Sequence, residues 1–360
     1  MAKLIVKNLR KVFGDFEAVK DVSFEVDEKE TMCLLGPSGC GKTTTLRMIA
    51  GLEIPTSGYI YIDDVLVNDL PPQKRGIGLV FQDYAIFPHM SVFENLAFGL
   101  NVRKAPKHEI TAKVDEIARL LGLSDLLYKS VKGLGLSEIQ RVAIGRSVIL
   151  DPKILLLDEP LSNVDAKVRE RMRSELKRIQ KEIGIATVYV THDQLEAMTL
   201  GDRIAVMKDG LIEHMAKPDE IYASPRTLFV AEFIGSPSMN LFECELLDKE
   251  GRAVLDAKDF TIDVTDFAET IKDKVTSPEL VVGIRPEDIS LNVKKLSPKA
   301  IRGEVQLIES LGTSSIYHLK VGQKSLLARG FLEVKVGNKV WIMFDMDKLH
   351  LFDKKTKVAI

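Results

Sequence analysis

Cysteine is scarce: Cys33, Cys40 and Cys244 are the only three in 360 residues. They are too few and too scattered for a disulfide scaffold or a cysteine-rich metal site. Cys40 stands inside a glycine-rich loop, which suits a reducing compartment. No run of 18 apolar residues occurs, so the chain is not expected to span a bilayer itself. The start, Met1-Ala2-Lys3-Leu4-Ile5-Val6, reads as a strand and lacks the apolar core of a signal peptide. An excess of charge of one sign is missing too. The net charge is −2, with no long basic run and no basic patch interleaved with aromatics, which leaves nucleic acid unsupported as a main partner. No convincing internal repeat or low-complexity tract is present. What remains is an ordinary globular composition, 45% hydrophobic and 28% charged, in a chain long enough for two or three domains.

Residues 1–35 hold strand-like segments at 4–6, 22–26 and 31–35, with turns near Gly14 and Asp27-Glu28. Residues 42–51 then read as a helix carrying Leu46, Ile49 and Ala50, ended by Gly51 and Pro55. Tyr59-Ile60-Tyr61-Ile62 alternates into Asp63-Asp64 and predicts a hairpin with 65–67, and 78–81 reads as a short buried strand. From 91 to about 122 the spacing is helical, with Phe93, Leu96, Ala97 and Leu100 on one face and Val114, Ile117, Ala118 and Leu121 on another. Residues 137–150 are again helical. The unbroken apolar runs 154–157 and 186–190, joined by a charged helix at 166–183, predict a parallel sheet covered on both faces. A closing hairpin is expected from 204–207 and 210–213. After Ile234 the helical pattern fades, and Pro225, Gly235 and Pro237 punctuate the chain. Short alternating segments from 241 to 360 predict a small all-β part, one barrel of the oligonucleotide-fold type or two packed together. The boundary is expected near 235–240.

Three strand ends carry the chemistry. Gly36-Pro37-Ser38-Gly39-Cys40-Gly41-Lys42-Thr43-Thr44 follows the apolar run 32–35 and opens a helix. Such a loop turns successive backbone N–H groups and a helix N-terminus toward phosphate oxygens. Lys42 would reach the terminal phosphates of ATP, and the Thr43 hydroxyl would bind Mg²⁺. Asp158, after four apolar residues, is placed to hold the magnesium directly or through water, and Glu159 to polarise an attacking water. His192 ends the next strand, where it either contacts the γ-phosphate and orients the water or is simply structural.

These residues resemble the nucleotide-binding subunits of ABC transporters, and the likeness runs through residues 1–235. It implies an α/β P-loop NTPase of ABC type with a helical subdomain at about 88–152, followed at 236–360 by a small all-β regulatory and dimerisation domain. Val12-Phe13-Gly14 looks like the loop whose aromatic ring stacks on adenine, which assigns that role to Phe13 with Val19 packed nearby. Val80-Phe81-Gln82-Asp83 resembles the segment in which Gln82 would touch Mg²⁺ and water while sensing the membrane subunits. Leu161-Ser162-Asn163-Val164-Asp165 looks like the loop that communicates across the dimer, and Thr191-His192-Asp193 matches the segment whose histidine is catalytic. Residues 82–90 and the following helix would face the membrane subunits, with Tyr84, Ile86 and Phe87 either exposed there for that contact or held by local core packing.

One segment departs from the family. Its members carry Leu-Ser-Gly-Gly-Gln before a helix that holds Gln140-Arg141-Val142-Ala143 here, whereas this chain reads Leu134-Gly135-Leu136-Ser137-Glu138. In the family this segment caps the ATP held by the opposite subunit. The side chains of Leu136 and Ser137 would crowd that approach, and Glu138 would set a negative charge beside a polyphosphate.

The second half narrows the likeness. Phe229-Val230-Ala231-Glu232-Phe233-Ile234-Gly235-Ser236-Pro237 and Val282-Gly283-Ile284-Arg285-Pro286-Glu287 resemble importer ATPases for maltose, trehalose and other sugars. Similar tails occur in importers for glycerol phosphate, polyamines and some anions, and a weakly active regulatory ATPase stays open as well. Arg285 and Glu287 are expected either as a surface ion pair or as a regulatory contact. The resemblance implies a homodimer at the cytoplasmic face of the membrane, two transmembrane permease subunits and, indirectly, an extracellular solute-binding protein. Soluble ABC-type ATPases of DNA repair or translation differ in having two cassettes or a long coiled-coil insert, and this sequence has neither.

Overall fold

Every residue of the strand Thr31–Leu35 is buried, because the strand runs inside a sheet rather than along its edge. In the computed structural model, which describes residues 2–162, 164–249, 251–267, 269, 271, 275 and 277–360, it has a parallel neighbour on each side, Ala186–Thr191 and Arg203–Lys208. Ile154–Asp158 and then Ile77–Val80 continue the parallel order. Among the described residues the sheet has ten strands. Its other end is antiparallel, built from the long pair Ala2–Phe13 and Phe16–Asp27 with Ser57–Ile62 and Val65–Leu66 alongside. Continuous Val, Ile and Leu runs fit the parallel strands, where both faces are covered. Alternation fits the antiparallel ones, as in the buried and exposed residues of Phe16–Asp27.

The helices Val92–Val102, Lys107–Leu120 and Leu136–Val148 form the expected helical subdomain. Ser91 caps the first through reciprocal bonds with Glu94. Gly145 lets two of these helices touch, since a Cβ there would lie 2.6 Å from Leu96 and 2.8 Å from Leu121. The segment 82–90 is held largely by local packing. Tyr84 is 6% exposed, and its hydroxyl donates to the Pro160 carbonyl at 2.8 Å. Phe87 packs on Phe98, ring centres 4.4 Å apart, and lies under the Arg146 guanidinium. Local packing therefore accounts for Tyr84 and Phe87, two of the three residues in question. No helix among the described residues is long and apolar enough to cross a membrane.

The chain divides into two compact units, Met1–Asp219 and Glu220–Ile360. The change of texture in the sequence comes later, because Leu228–Phe233 is helical yet tied to the end of the chain. Leu228 N–H donates to the Lys357 carbonyl, and Ala359 N–H to that of Arg226, both at 2.9 Å. Among the described residues the second unit holds two five-stranded antiparallel sheets. Phe242, Leu255, Leu280 and Val282 of one sheet share a core with Val305, Leu319, Val340 and Ile342 of the other. Asn240 staples them, donating to the carbonyls of Ile284 and Leu327 and accepting the Leu327 N–H.

Arg285 is not a surface ion pair. It is 2% exposed, its guanidinium donates to the carbonyls of Tyr222 and Ile234, and it stacks 3.5 Å from the centre of the Tyr222 ring. Glu287 accepts instead from the Tyr222 hydroxyl. The residue closes the second unit on itself.

Candidate functional site

The strands Thr31–Leu35, Ala186–Thr191, Ile154–Asp158 and Ile77–Val80 are consecutive neighbours in the sheet and parallel. Their carboxyl ends therefore deliver the glycine-rich loop, His192, Asp158-Glu159 and Gln82 to one rim. That is the rim where open parallel sheets bind ligands. Four stretches far apart in sequence meet there.

The glycine-rich loop is shaped by close backbone contacts. Gly41 has φ 102°, and a Cβ on it would lie 2.5 Å from the Ala18 carbonyl oxygen and 3.3 Å from Val19. Val19, fully buried, packs against this loop. Lys42 is 4% exposed and donates to the Gly36 and Pro37 carbonyls at 2.8 Å each, which aims its charge along the loop. Cys40 lies buried with Sγ 3.7 Å from Lys42 Nζ, and burial pushes its thiol up against the opposing pull of that ammonium. Pro37, Ser38, Gly39 and Thr44 complete the loop around the start of the helix Lys42–Ala50. Phe13 is 45% exposed at the end of its strand, with Lys11 Nζ over its ring 4.7 Å from the centre.

Thr43 donates its hydroxyl to Asp158 Oδ1 at 3.1 Å. Burial raises the Asp158 carboxyl above its ordinary range, the Thr43 hydroxyl opposes that, and the neighbouring Glu159 adds to it. Two hard oxygen donors side by side, one a carboxylate disfavoured by its surroundings, suit a divalent ion that would restore the charged form. The residues fit magnesium.

Glu159 has φ 45°, a region costly for a residue with a side chain, and such strain concentrates at functional positions. Its Oε2 lies 3.0 Å from His192 Nδ1, with His192 half-exposed. Ser162 bridges this corner, donating to the Glu159 carbonyl at 2.9 Å and accepting from Gln82 Nε2 at 3.1 Å. Asp165 caps the next helix, Ala166–Ile183, through Val168 N–H. Asn163 lies outside the described residues.

Beneath His192 sits Glu196, 2% exposed, accepting from the Tyr189 hydroxyl at 2.8 Å and the Thr191 hydroxyl at 2.7 Å. Burial lifts its carboxyl, and the two hydroxyls pull the other way. With the folded pKa above the unfolded one, its stabilising contribution is complete below the ordinary glutamate range and is lost as pH rises through the folded value. Glu196→Gln keeps an acceptor oxygen for both hydroxyls and removes the titration. Urea unfolding at about pH 5 and pH 7 is expected to show a smaller pH-dependent loss of stability than in the unaltered chain.

The segment 135–138 starts the helix Leu136–Val148 and, among the described residues, bonds within itself and to the helix Ala166–Ile183, not to the glycine-rich loop. Glu138 Oε2 accepts the Gly135 N–H at 2.8 Å, and Ser137 donates to Glu175 Oε2 at 2.7 Å. Farther along, Gln140 Nε2 donates to the Pro160 carbonyl, the oxygen that also holds Tyr84. Glu175 and Pro160 escaped sequence reasoning. Glu175 sits 38 residues from its partner in a helix of seven basic and three acidic residues, and Pro160 acts through its backbone.

Residues 19–162 match the family model described as ABC transporter, 235–289 that of the MalK OB fold domain, and 282–352 that of the TOBE domain. Over the full length of both, the chain is 46% identical to the trehalose/maltose import ATP-binding protein MalK of Thermococcus litoralis. It is 41% identical to the sn-glycerol-3-phosphate import ATP-binding protein UgpC of Bordetella avium, over 99% of this chain and 98% of that one. The solved structure of cbiO1 from Clostridium perfringens, part of the transporter complex cbiONQ, superposes with a TM-score of 0.58 at 30% identity, covering 62% of this chain and 91% of the other.

Proposed function

Since the chain belongs to the MalK-type ATPases of ABC importers, we propose that the solute whose uptake it powers is a sugar or oligosaccharide such as maltose or trehalose. The observation that carries this reading is the 46% identity to a trehalose/maltose import protein, which extends through both halves of the chain. Uptake of a glycerol phosphate is the second reading, supported by the 41% relative.

In the proposed cycle the loop 36–44 and the dipole of the helix Lys42–Ala50 hold the phosphates of ATP, with Lys42 on the terminal ones. Phe13 stacks on the base. Thr43, Asp158 and Gln82 would hold magnesium, and the chemistry the ion would supply there is neutralisation of negative charge on the phosphates. Glu159 accepts hydrogen bonding from the attacking water, and His192 keeps that carboxylate and the γ-phosphate aligned. Residues 135–138 and Asp165 face the nucleotide of a second ATPase subunit. Closure and reopening of the pair drive alternating access in two separate membrane subunits supplied by an external solute-binding protein.

The test is ATP hydrolysis by the chain reconstituted with its membrane subunits and solute-binding protein. Maltose or trehalose is expected to raise turnover by about tenfold and glycerol 3-phosphate to leave it unchanged. Stimulation by glycerol 3-phosphate alone would reverse the assignment.

A further inference from the structure

Glu159, the base in the ATPase reading on which this inference rests, has φ 45°, a backbone conformation that persists only where its surroundings over-determine it. The bonds that do so lie on both sides of its Cα. Its N–H donates to the Val190 carbonyl at 3.0 Å, and its carbonyl accepts from the Ser162 hydroxyl at 2.9 Å and the Ser162 N–H at 3.2 Å. The next residue is Pro160, whose ring fixes its own φ and so passes any constraint on its carbonyl back toward Glu159. That carbonyl accepts two buried donors, the Tyr84 hydroxyl at 2.8 Å and Gln140 Nε2 at 3.2 Å. One donor would satisfy a buried carbonyl oxygen. Two, arriving from different elements, also fix its direction.

Neither donor is a loose surface contact. Tyr84 is 6% and Gln140 3% exposed. Burial pushes the Tyr84 phenol up to about 12, so it keeps its proton and donates at every pH near neutrality. Tyr84 reaches inward from a backbone with φ 62°, followed by Ala85 at 43°, and Arg146 donates to the carbonyls of both from the helix that carries Gln140. The two donors are thus braced against each other. We propose that Tyr84 and Gln140 are positioning residues for the Glu159 carboxylate: gripping the Pro160 carbonyl together, they keep Glu159 in the strained backbone that presents it to the attacking water. With one donor gone, the other still holds the oxygen. With both gone, the Glu159–Pro160 peptide relaxes and the carboxylate leaves its line with the water. Both residues act through the backbone, so the hold of the glycine-rich loop on the phosphates does not depend on them.

Tyr84→Phe and Gln140→Met each remove one donor and little volume. The full chain, reconstituted with its membrane subunits and solute-binding protein, is compared with either change and with both, each with Glu159 intact and with Glu159→Gln. Either single change is expected to lower ATP turnover by about threefold and the pair by about 100-fold, far beyond the product of the singles, because each donor covers for the other. Equilibrium binding of MgATP should stay within about twofold. With Glu159→Gln present, single-turnover hydrolysis should fall no further on adding Tyr84→Phe or the pair, since the residual rate makes no use of the base. A loss of the same size in both backgrounds, or one matched by weakened binding, means a merely structural role and overturns the proposal. So does turnover of the pair within about threefold of the unaltered chain. Should Gln140→Met melt below the assay temperature, Tyr84→Phe with and without Glu159→Gln decides alone. If the unaltered chain in its transporter hydrolyses no ATP, the ATPase reading itself fails and takes this inference with it.

Discussion

Glu159→Gln is expected to lower ATP turnover in the assembled transporter by about 10²–10⁴-fold, the range over which a positioned general base contributes. The substitution preserves size and keeps a polar contact to His192 Nδ1, 3.0 Å away, so the corner held by Ser162 should not rearrange. Only the capacity to draw a proton from water is removed. ATP affinity is expected to hold or to tighten, because a negative charge leaves the neighbourhood of the γ-phosphate and of Asp158. The split between lost turnover and retained binding distinguishes this role from a structural one. Single-turnover hydrolysis together with equilibrium binding of MgATP measures both. Turnover within tenfold of the unaltered protein would remove Glu159 from the chemistry.

Arg285→Ala should produce the largest loss of stability. The side chain is 2% exposed and satisfies the carbonyls of Tyr222 and Ile234 while lying 3.5 Å from the Tyr222 ring centre. Its removal leaves two carbonyls without that donor and abolishes the stacking, a loss of about 3–5 kcal/mol. For a unit of this size the melting temperature should fall by roughly 10 °C. Arg285→Lys is expected to recover less than half of that, since one ammonium on a flexible stem cannot reproduce a planar fork that bonds two carbonyls and covers a ring. Calorimetric melting of the full chain reads the effect in its second unit. A shift of under about 2 °C for Arg285→Ala would mean that the two carbonyls find other donors.

Arg285 and Tyr84 mark where legibility in the sequence stopped. The first stands in a run, Val282-Gly283-Ile284-Arg285-Pro286-Glu287, whose alternate charges look solvated. Its burial depends on carbonyls 51 and 63 residues away. Tyr84 lies among charged and exposed neighbours, yet its hydroxyl reaches the Pro160 carbonyl 76 residues on. Neither contact leaves a periodic trace. The strands 31–35, 154–157 and 186–190, by contrast, were legible because a strand buried on both faces must be apolar at every position.

The sequence by itself determined the chemistry available at each strand end: a phosphate-cradling loop, an acidic pair and a histidine, each dictated by neighbours within a few residues. It also set the segment 135–138 apart, in side-chain size and charge, from the family pattern it resembles. Tertiary structure decided that these ends stand on adjacent parallel strands, that Glu159 leans on His192, and that Glu138 takes the Gly135 N–H and Glu175 the Ser137 hydroxyl. Periodicity and glycine spacing are local properties of a chain. Which hydrogen bond a carboxylate makes is settled by residues that only folding brings within 3 Å.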